Sequence, residues 1–124
     1  MTIPYTVAGM DPEALTFDPE ASQSEITLVC YDGEKLLEEH NVEMTRVVSQ
    51  LEKWPVVWVN VEGLGSSKKI KWLGDLFKIH PLALEDIVTV HQRAKYETFD
   101  DCCFFIAHMM EAKGELMQEQ VSLY

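Results

Sequence analysis

Basic residues are scarce in this chain. Ten lysines and arginines stand against 21 aspartates and glutamates, a formal net charge of −11 over 124 residues. That balance speaks against nucleic acid and anionic lipid as partners, because both are held by basic patches, and it suits cations or basic partners. Long hydrophobic runs are also missing. The longest, around Cys102–Ala107, is strand length, far short of the roughly 18–20 apolar residues of a membrane helix. The N-terminus, Met1-Thr2-Ile3-Pro4-Tyr5, has no basic region leading into an apolar run, so it does not read as a signal peptide. Cysteine is limited to Cys30, Cys102 and Cys103. Neighbours on a strand point to opposite faces, so Cys102 and Cys103 make a poor disulfide. The odd count fits a reducing cytosol, with all three thiols as small buried apolar groups. Neither Gly-x-x-x-x-Gly-Lys nor Gly-x-Gly-x-x-Gly occurs, which removes the usual nucleotide signatures.

What is present is enough for a core. The chain is 47% hydrophobic and 25% charged, an ordinary globular balance of single-domain length. The acidic excess lies early: residues 1–64 carry 12 acids and 3 bases, residues 65–124 nine acids and seven bases. Residues 1–24 read as a loose N-terminal segment, with Pro4, Gly9, Pro12 and Pro19 among acids and hydroxyls. Residues 25–124 read as the folded domain.

Glu25–Tyr31 is β-branched and apolar, which predicts a strand, and Asp32-Gly33 a tight turn after it. Lys35–Asn41 fits either the second strand of a hairpin or a helical piece. Val42–Leu51 spaces its apolar residues helically. Trp54–Val61 is nearly all apolar, which predicts a buried central strand with Trp58 in the core. Gly63–Ser67 is a turn ending in helix-capping residues. The helix over Lys68–Phe77 presents Ile70, Leu73 and Phe77 on one face, and Lys68, Lys69 and Lys71 near its start read as a solvated basic face. His80-Pro81 opens a second short helix with proline at its first position. Lys95–Phe99 and Cys103–Ala107 alternate as two strands joined at Asp100-Asp101. Gly114 marks a turn, and a further strand begins at Glu119. The elements predict an α/β or α+β fold, a mixed β-sheet layered with helices.

Glu85 and Asp86 are the residues with chemistry to offer. They are consecutive on the short helix, whose inner face is Leu84, Ile87 and Val88. Residues 100° apart can both look outward from one edge. Their oxygens are hard ligands suited to Mg²⁺ or Ca²⁺. Two carboxylates do not cage a metal, but Mg²⁺ keeps several waters and often uses only one or two. Such a site is weak, as a sensor of cellular Mg²⁺ needs to be.

The stretch His80-Pro81-Leu82-Ala83-Leu84-Glu85-Asp86-Ile87, followed by His91-Gln92-Arg93-Ala94-Lys95, resembles the cytosolic domain of CorA-type divalent-cation transporters. That family carries His-Pro-Leu-x-Leu-Glu-Asp-Ile and then His-Gln-Arg-Pro-Lys. The likeness is sharp from Phe77 to Met110 and loose from Glu25 to Tyr124, and Ala94 replaces the usual proline. Gln118–Leu123 also looks like a family strand. Gly9-Met10-Asp11 lacks the Asn of the family's Gly-Met-Asn pore signature and reads as coincidence. The resemblance implies an α/β/α funnel domain on the cytoplasmic side of the cell membrane, in a homopentamer with two membrane helices per subunit. It implies that this chain is the N-terminal part of a longer subunit, joined to the membrane only through a missing C-terminal part. It further implies that Glu85 and Asp86 bind regulatory Mg²⁺ together with acids of a neighbouring subunit, for a transporter of magnesium or cobalt.

Rival readings differ in class. A related transporter of Zn²⁺, Ni²⁺ or Co²⁺ shares the architecture, although these cysteines are not spaced as ligands for softer ions. An enzyme would draw on His80, Glu85, Asp86, His91 or Cys102, but no His-Glu-x-x-His is present and nothing sets a base beside Cys102. His80 is more simply a helix-start residue. No catalytic residue is assigned. A bare protein-interaction module is the third reading.

Overall fold

Alternating burial along one strand organises the first half of the described chain. The computed structural model describes residues 15–124, so Gly9-Met10-Asp11 and most of the N-terminal segment lie outside the described residues. These fall into two compact units, Phe17–Ile70 and Lys71–Tyr124. In the first unit, β1 (Glu25–Tyr31) buries Ile26, Leu28 and Cys30 and turns the residues between them to the other face, the two-residue period of a pleated strand. The Asp32-Gly33 turn is closed by its own side chain: Asp32 Oδ1 accepts from the backbone N–H of Glu34 (2.8 Å) and Lys35 (2.7 Å). Those bonds hold the Asp32 carboxyl below its usual range. The ambiguous segment after it becomes β2 (Leu36–Glu39), paired antiparallel with β1. A two-pronged Arg46–Glu39 pair at 2.8 and 2.6 Å ties β2 to α1 (Met44–Leu51).

β3 (Val56–Glu62) completes this sheet in the order β2-β1-β3. It is therefore an edge strand among the described residues, not the central strand expected from its apolar run. Trp58 is half exposed at 50%, not in the core. An unbroken apolar stretch has no period, so it cannot say which strand is central. The expected mixed sheet likewise does not form among the described residues, where every ladder is antiparallel. Strand-helix alternation suggested parallel crossovers. The β1–β2 hairpin reverses the chain before α1, however, so β3 returns antiparallel to β1.

The chain then passes through a loop that explains its glycines. Gly63 has φ +86°, and a Cβ there would stand 2.5 Å from the Gln23 carbonyl oxygen. The loop lies against residues 22–24: Gly65 N–H donates to Ser22 O (2.7 Å), Ser24 Oγ donates to Gly63 O (2.7 Å), and Ser66 Oγ accepts from Ser24 N–H (2.9 Å). Ser66 precedes α2 (Ser67–Leu76). Its hydroxyl serves this long-range tie. Lys69, one of the three clustered lysines, donates to Ser24 O at 2.9 Å and is not part of a free basic face.

The second unit holds α3 (Pro81–Val88), β4 (Lys95–Phe99), β5 (Cys102–Lys113) and β6 (Glu115–Leu123). Its sheet runs β4-β5-β6. Ala83, Phe104 and Ile106 form the buried cluster, with Ile79, Ile87 and Phe99 packed on it. β5 and β6 are longer than their alternation predicts. They pair out to Lys113–Glu115 across Gly114, which has φ +80°. Both faces of that outer ribbon are exposed, so no hydrophobic period marked it as strand. Among the described residues the fold is α+β: three helices and two small antiparallel sheets.

Candidate functional site

The site is built at the start of α3. His80 is its N-cap: Nδ1 accepts from Leu82 N–H at 3.1 Å, and Pro81 follows at the first helical position. The His80 ring stacks on Phe99 with centroids 4.5 Å apart, and its backbone N–H donates to Tyr124 Oη at 3.2 Å. These contacts fix where the helix begins and therefore which way each later side chain points.

That rotation separates Glu85 from Asp86. Glu85 is partly exposed, and it has no ion pair among the described residues. Asp86 is buried at 6% exposure. The expectation that both look outward is corrected here: Asp86 sits three residues after Ala83, on the side of α3 that packs inward, and meets a cation there. Lys95 Nζ donates to Asp86 Oδ2 at 2.5 Å and to Glu97 Oε1 at 2.8 Å. Lys95, Glu97 and Phe99 share one face of β4, where a period of two puts them. Beneath the ammonium lies Phe104, its ring centroid 5.9 Å from Nζ, within cation–π range. Gln120 of β6 joins the cluster. Its Oε1 accepts from Gln92 N–H at 2.8 Å, and its Nε2 donates to the Asp86 carbonyl at 3.5 Å.

The electrostatics follow from this geometry. Burial pushes the Glu85 carboxyl above its usual value, and the adjacent Asp86 charge adds to it. Burial pulls the Lys95 ammonium down, but hydrogen bonds and charge from Asp86 and Glu97 outweigh it and leave the pKa raised. Two carboxylates, Asp86 and Glu97, thus share one ammonium, and Glu85 adjoins as the chain neighbour of Asp86.

As a metal site, the donor chemistry fits a hard divalent ion in part. Glu85 offers an oxygen without an ion-pair partner among the described residues. Asp86 is buried and has its Oδ2 engaged by Lys95. Among the described residues no group of three or more His, Cys, Asp or Glu side chains is arranged to hold a metal, so further ligands would have to come from elsewhere.

The other residues considered from sequence lie apart in role. His91 is exposed with φ 73°, and His80 is engaged as a cap. All three cysteines are free thiols. Cys30 is buried, which raises its pKa. Cys103 is exposed, contrary to the expectation of a buried apolar role, and its Sγ lies 3.5 Å from Tyr96 Oη. What sequence reasoning missed was Lys95 as a partner. A base beginning an apolar strand, two residues before Glu97 on the same face, was the available signal.

Among known proteins, no family model matches the chain. The Cobalt/magnesium transport protein CorA of Thermotoga maritima is 32% identical over 119 residues, covering 93% of this chain and 34% of that protein. YfjQ of Bacillus subtilis, provisionally named a metal ion transporter, is 29% identical over 87 residues, covering 69% of this chain and 27% of that protein. The chain spans about a third of the length of these curated relatives.

Proposed function

Because this chain belongs to the CorA-type family of divalent-cation transport proteins, we propose that it is the cytosolic, Mg²⁺-responsive part of a transporter subunit for magnesium or cobalt. Identity of 32% across 93% of the chain, taking in the Glu85-Asp86 motif, is the observation that carries this reading. Among the described residues no helix is long and apolar enough to cross a membrane. In this reading the membrane spans and the pore lie in other segments of the subunit, and the subunits assemble as a pentamer, both as the family resemblance implies.

In this proposal a Mg²⁺ ion is held by Glu85 and Asp86 together with acids of a neighbouring subunit. The ion supplies a charge that offsets repulsion between acidic surfaces. Glu85 is suited to it: its carboxylate is partly desolvated and pressed against a like charge, so a cation there relieves an unfavourable state. Holding the interface closed at high Mg²⁺ and releasing it at low Mg²⁺ is a population shift by a ligand that prefers one state.

Calorimetric titration of Mg²⁺, Ca²⁺, Zn²⁺ and Co²⁺ tests the reading, using both this chain and a longer protein with the rest of a CorA-length subunit. The expected result is weak or undetectable Mg²⁺ binding to the chain alone and clear binding to the assembled longer protein. Tight Zn²⁺ binding to the chain alone would overturn it in favour of a transporter of softer ions.

A further inference from the structure

We propose that His80 is a proton-sensitive latch on α3: the neutral imidazole caps the helix, and a proton on Nδ1 opens the cap and loosens the first turn of the helix that carries Glu85 and Asp86. This inference stands on the helix start alone and does not rest on the Mg²⁺-responsive reading.

One hydrogen bond decides which ring nitrogen holds the proton. A backbone N–H can only donate, and Leu82 N–H meets His80 Nδ1 at 3.1 Å. Nδ1 therefore carries a lone pair, and the neutral ring has its proton on Nε2. Contacts on both sides keep the residue from turning away. The ring stacks on Phe99 with centroids 4.5 Å apart and planes 22° from parallel. Phe99 packs in turn on the buried cluster of Ala83, Phe104 and Ile106. On the backbone, His80 N–H donates to Tyr124 Oη at 3.2 Å, and His80 O accepts from Leu84 N–H at 2.9 Å.

Protonation sets donor against donor. An Nδ1–H would face Leu82 N–H, and that amide would lose its partner. The charged ring would also lie at the helix N-terminus, where the macrodipole already places partial positive charge. The surrounding groups give an imidazolium little in return. Phe99 of β4 offers a ring face but no acceptor for Nδ1–H. Tyr124, just after β6, presents a hydroxyl that already accepts from the His80 backbone, and Cys102 and Asp100 act on that hydroxyl. Lys78, two residues before His80, brings a further positive charge. Among the described residues no carboxylate forms an ion pair with His80. The folded chain thus selects the neutral ring, and the unfolded chain has no such preference. Stability from the cap is complete at pH 8 and is lost as pH falls through the ordinary imidazole range, about 6.5.

The test compares this chain with His80→Asn, because asparagine caps a helix without titrating. Thermal midpoints are read at pH 8 and pH 5.5. His40, His91, His108 and Glu85 titrate in both proteins, so the difference between them belongs to residue 80. The wild-type midpoint is expected to fall at least about 3 °C further than that of His80→Asn over this range. In ¹⁵N-labelled wild type at pH 8, NMR is expected to find the His80 proton on Nε2. On acidification the Leu82 amide signal should move together with the His80 ring signals. Equal falls in midpoint for the two proteins would overturn the proposal. So would a His80 proton on Nδ1 at pH 8, or a Leu82 amide that ignores titration of the ring. If His80→Asn does not fold, His80→Ser takes its place, and the NMR measurement decides on wild type alone.

Discussion

Asp86→Asn destabilises this chain by about 2 kcal/mol, whereas Glu85→Gln stabilises it by under about 1 kcal/mol, although the two carboxylates are neighbours. The opposite signs follow from their surroundings. Asn at 86 keeps the shape but strips a three-quarters buried ammonium of its main partner. Breaking one side of a fully buried pair costs about 3–5 kcal/mol. Lys95 keeps Glu97 and some solvent, which reduces that figure. Gln at 85 removes a partly desolvated charge that repels Asp86 and has no ion-pair partner among the described residues. The pH dependence separates them further. A carboxyl whose folded pKa lies above its unfolded one contributes stability that is complete below the unfolded value and lost as pH rises through the folded value. The advantage of Glu85→Gln over wild type is therefore present at neutral pH and shrinks as pH falls through the raised Glu85 pKa. For Lys95, also raised, the contribution is complete below the ordinary lysine value near about 10.4 and is lost only in stronger alkali. Urea denaturation in EDTA between neutral and acid pH reads the Glu85 effect directly. Equal destabilisation by both substitutions would contradict the assignment of an inward Asp86 and a partly outward Glu85.

Phe104→Ala is expected to remove about 3–5 kcal/mol, the largest loss available from one side chain in the second unit. The ring is fully buried and clusters with Ala83 and Ile106. Its centroid lies 6.3 Å from that of Phe99 and 6.1 Å from that of Tyr124, distances at which aromatic pairs interact favourably. It also floors the Lys95 ammonium. The same substitution should therefore loosen the Lys95–Asp86 pair, not merely open a cavity. Phe104→Leu keeps most of the volume and loses the ring face, so it costs about 1–2 kcal/mol and isolates the aromatic part. Measured by chemical denaturation, a Phe104→Ala loss below about 1 kcal/mol would place the ring outside the structural core.

Local signals in the chain carried the elements well. Asp32-Gly33, Gly114 and His80-Pro81 each marked a turn or helix start that the structure places there. The α+β class followed from those elements. Pairing partners were not legible in the same way. The apolar Trp54–Val61 run has no alternation to separate an edge from a centre. The outer ribbon of β5 and β6, exposed on both faces, has no buried face to betray a strand. At the site, the Glu85-Asp86 motif stood out in sequence, but the inward turn of Asp86 did not. Leu84, Ile87 and Val88 define an apolar arc wide enough to include or exclude position 86. Only the lysine nine residues later, brought across by β4 pairing, makes burial of that carboxylate tolerable.

Mg²⁺-dependent resistance to limited proteolysis, measured on the complete assembled subunit with and without the double substitution Glu85→Gln/Asp86→Asn, tests the central claim most directly. Circular dichroism of the variant establishes that it is folded. Wild type should become resistant as Mg²⁺ rises, and the double variant should stay as sensitive as in EDTA. Protection of the folded variant at the same Mg²⁺ concentrations as wild type would contradict a cation-sensing role for these two carboxylates.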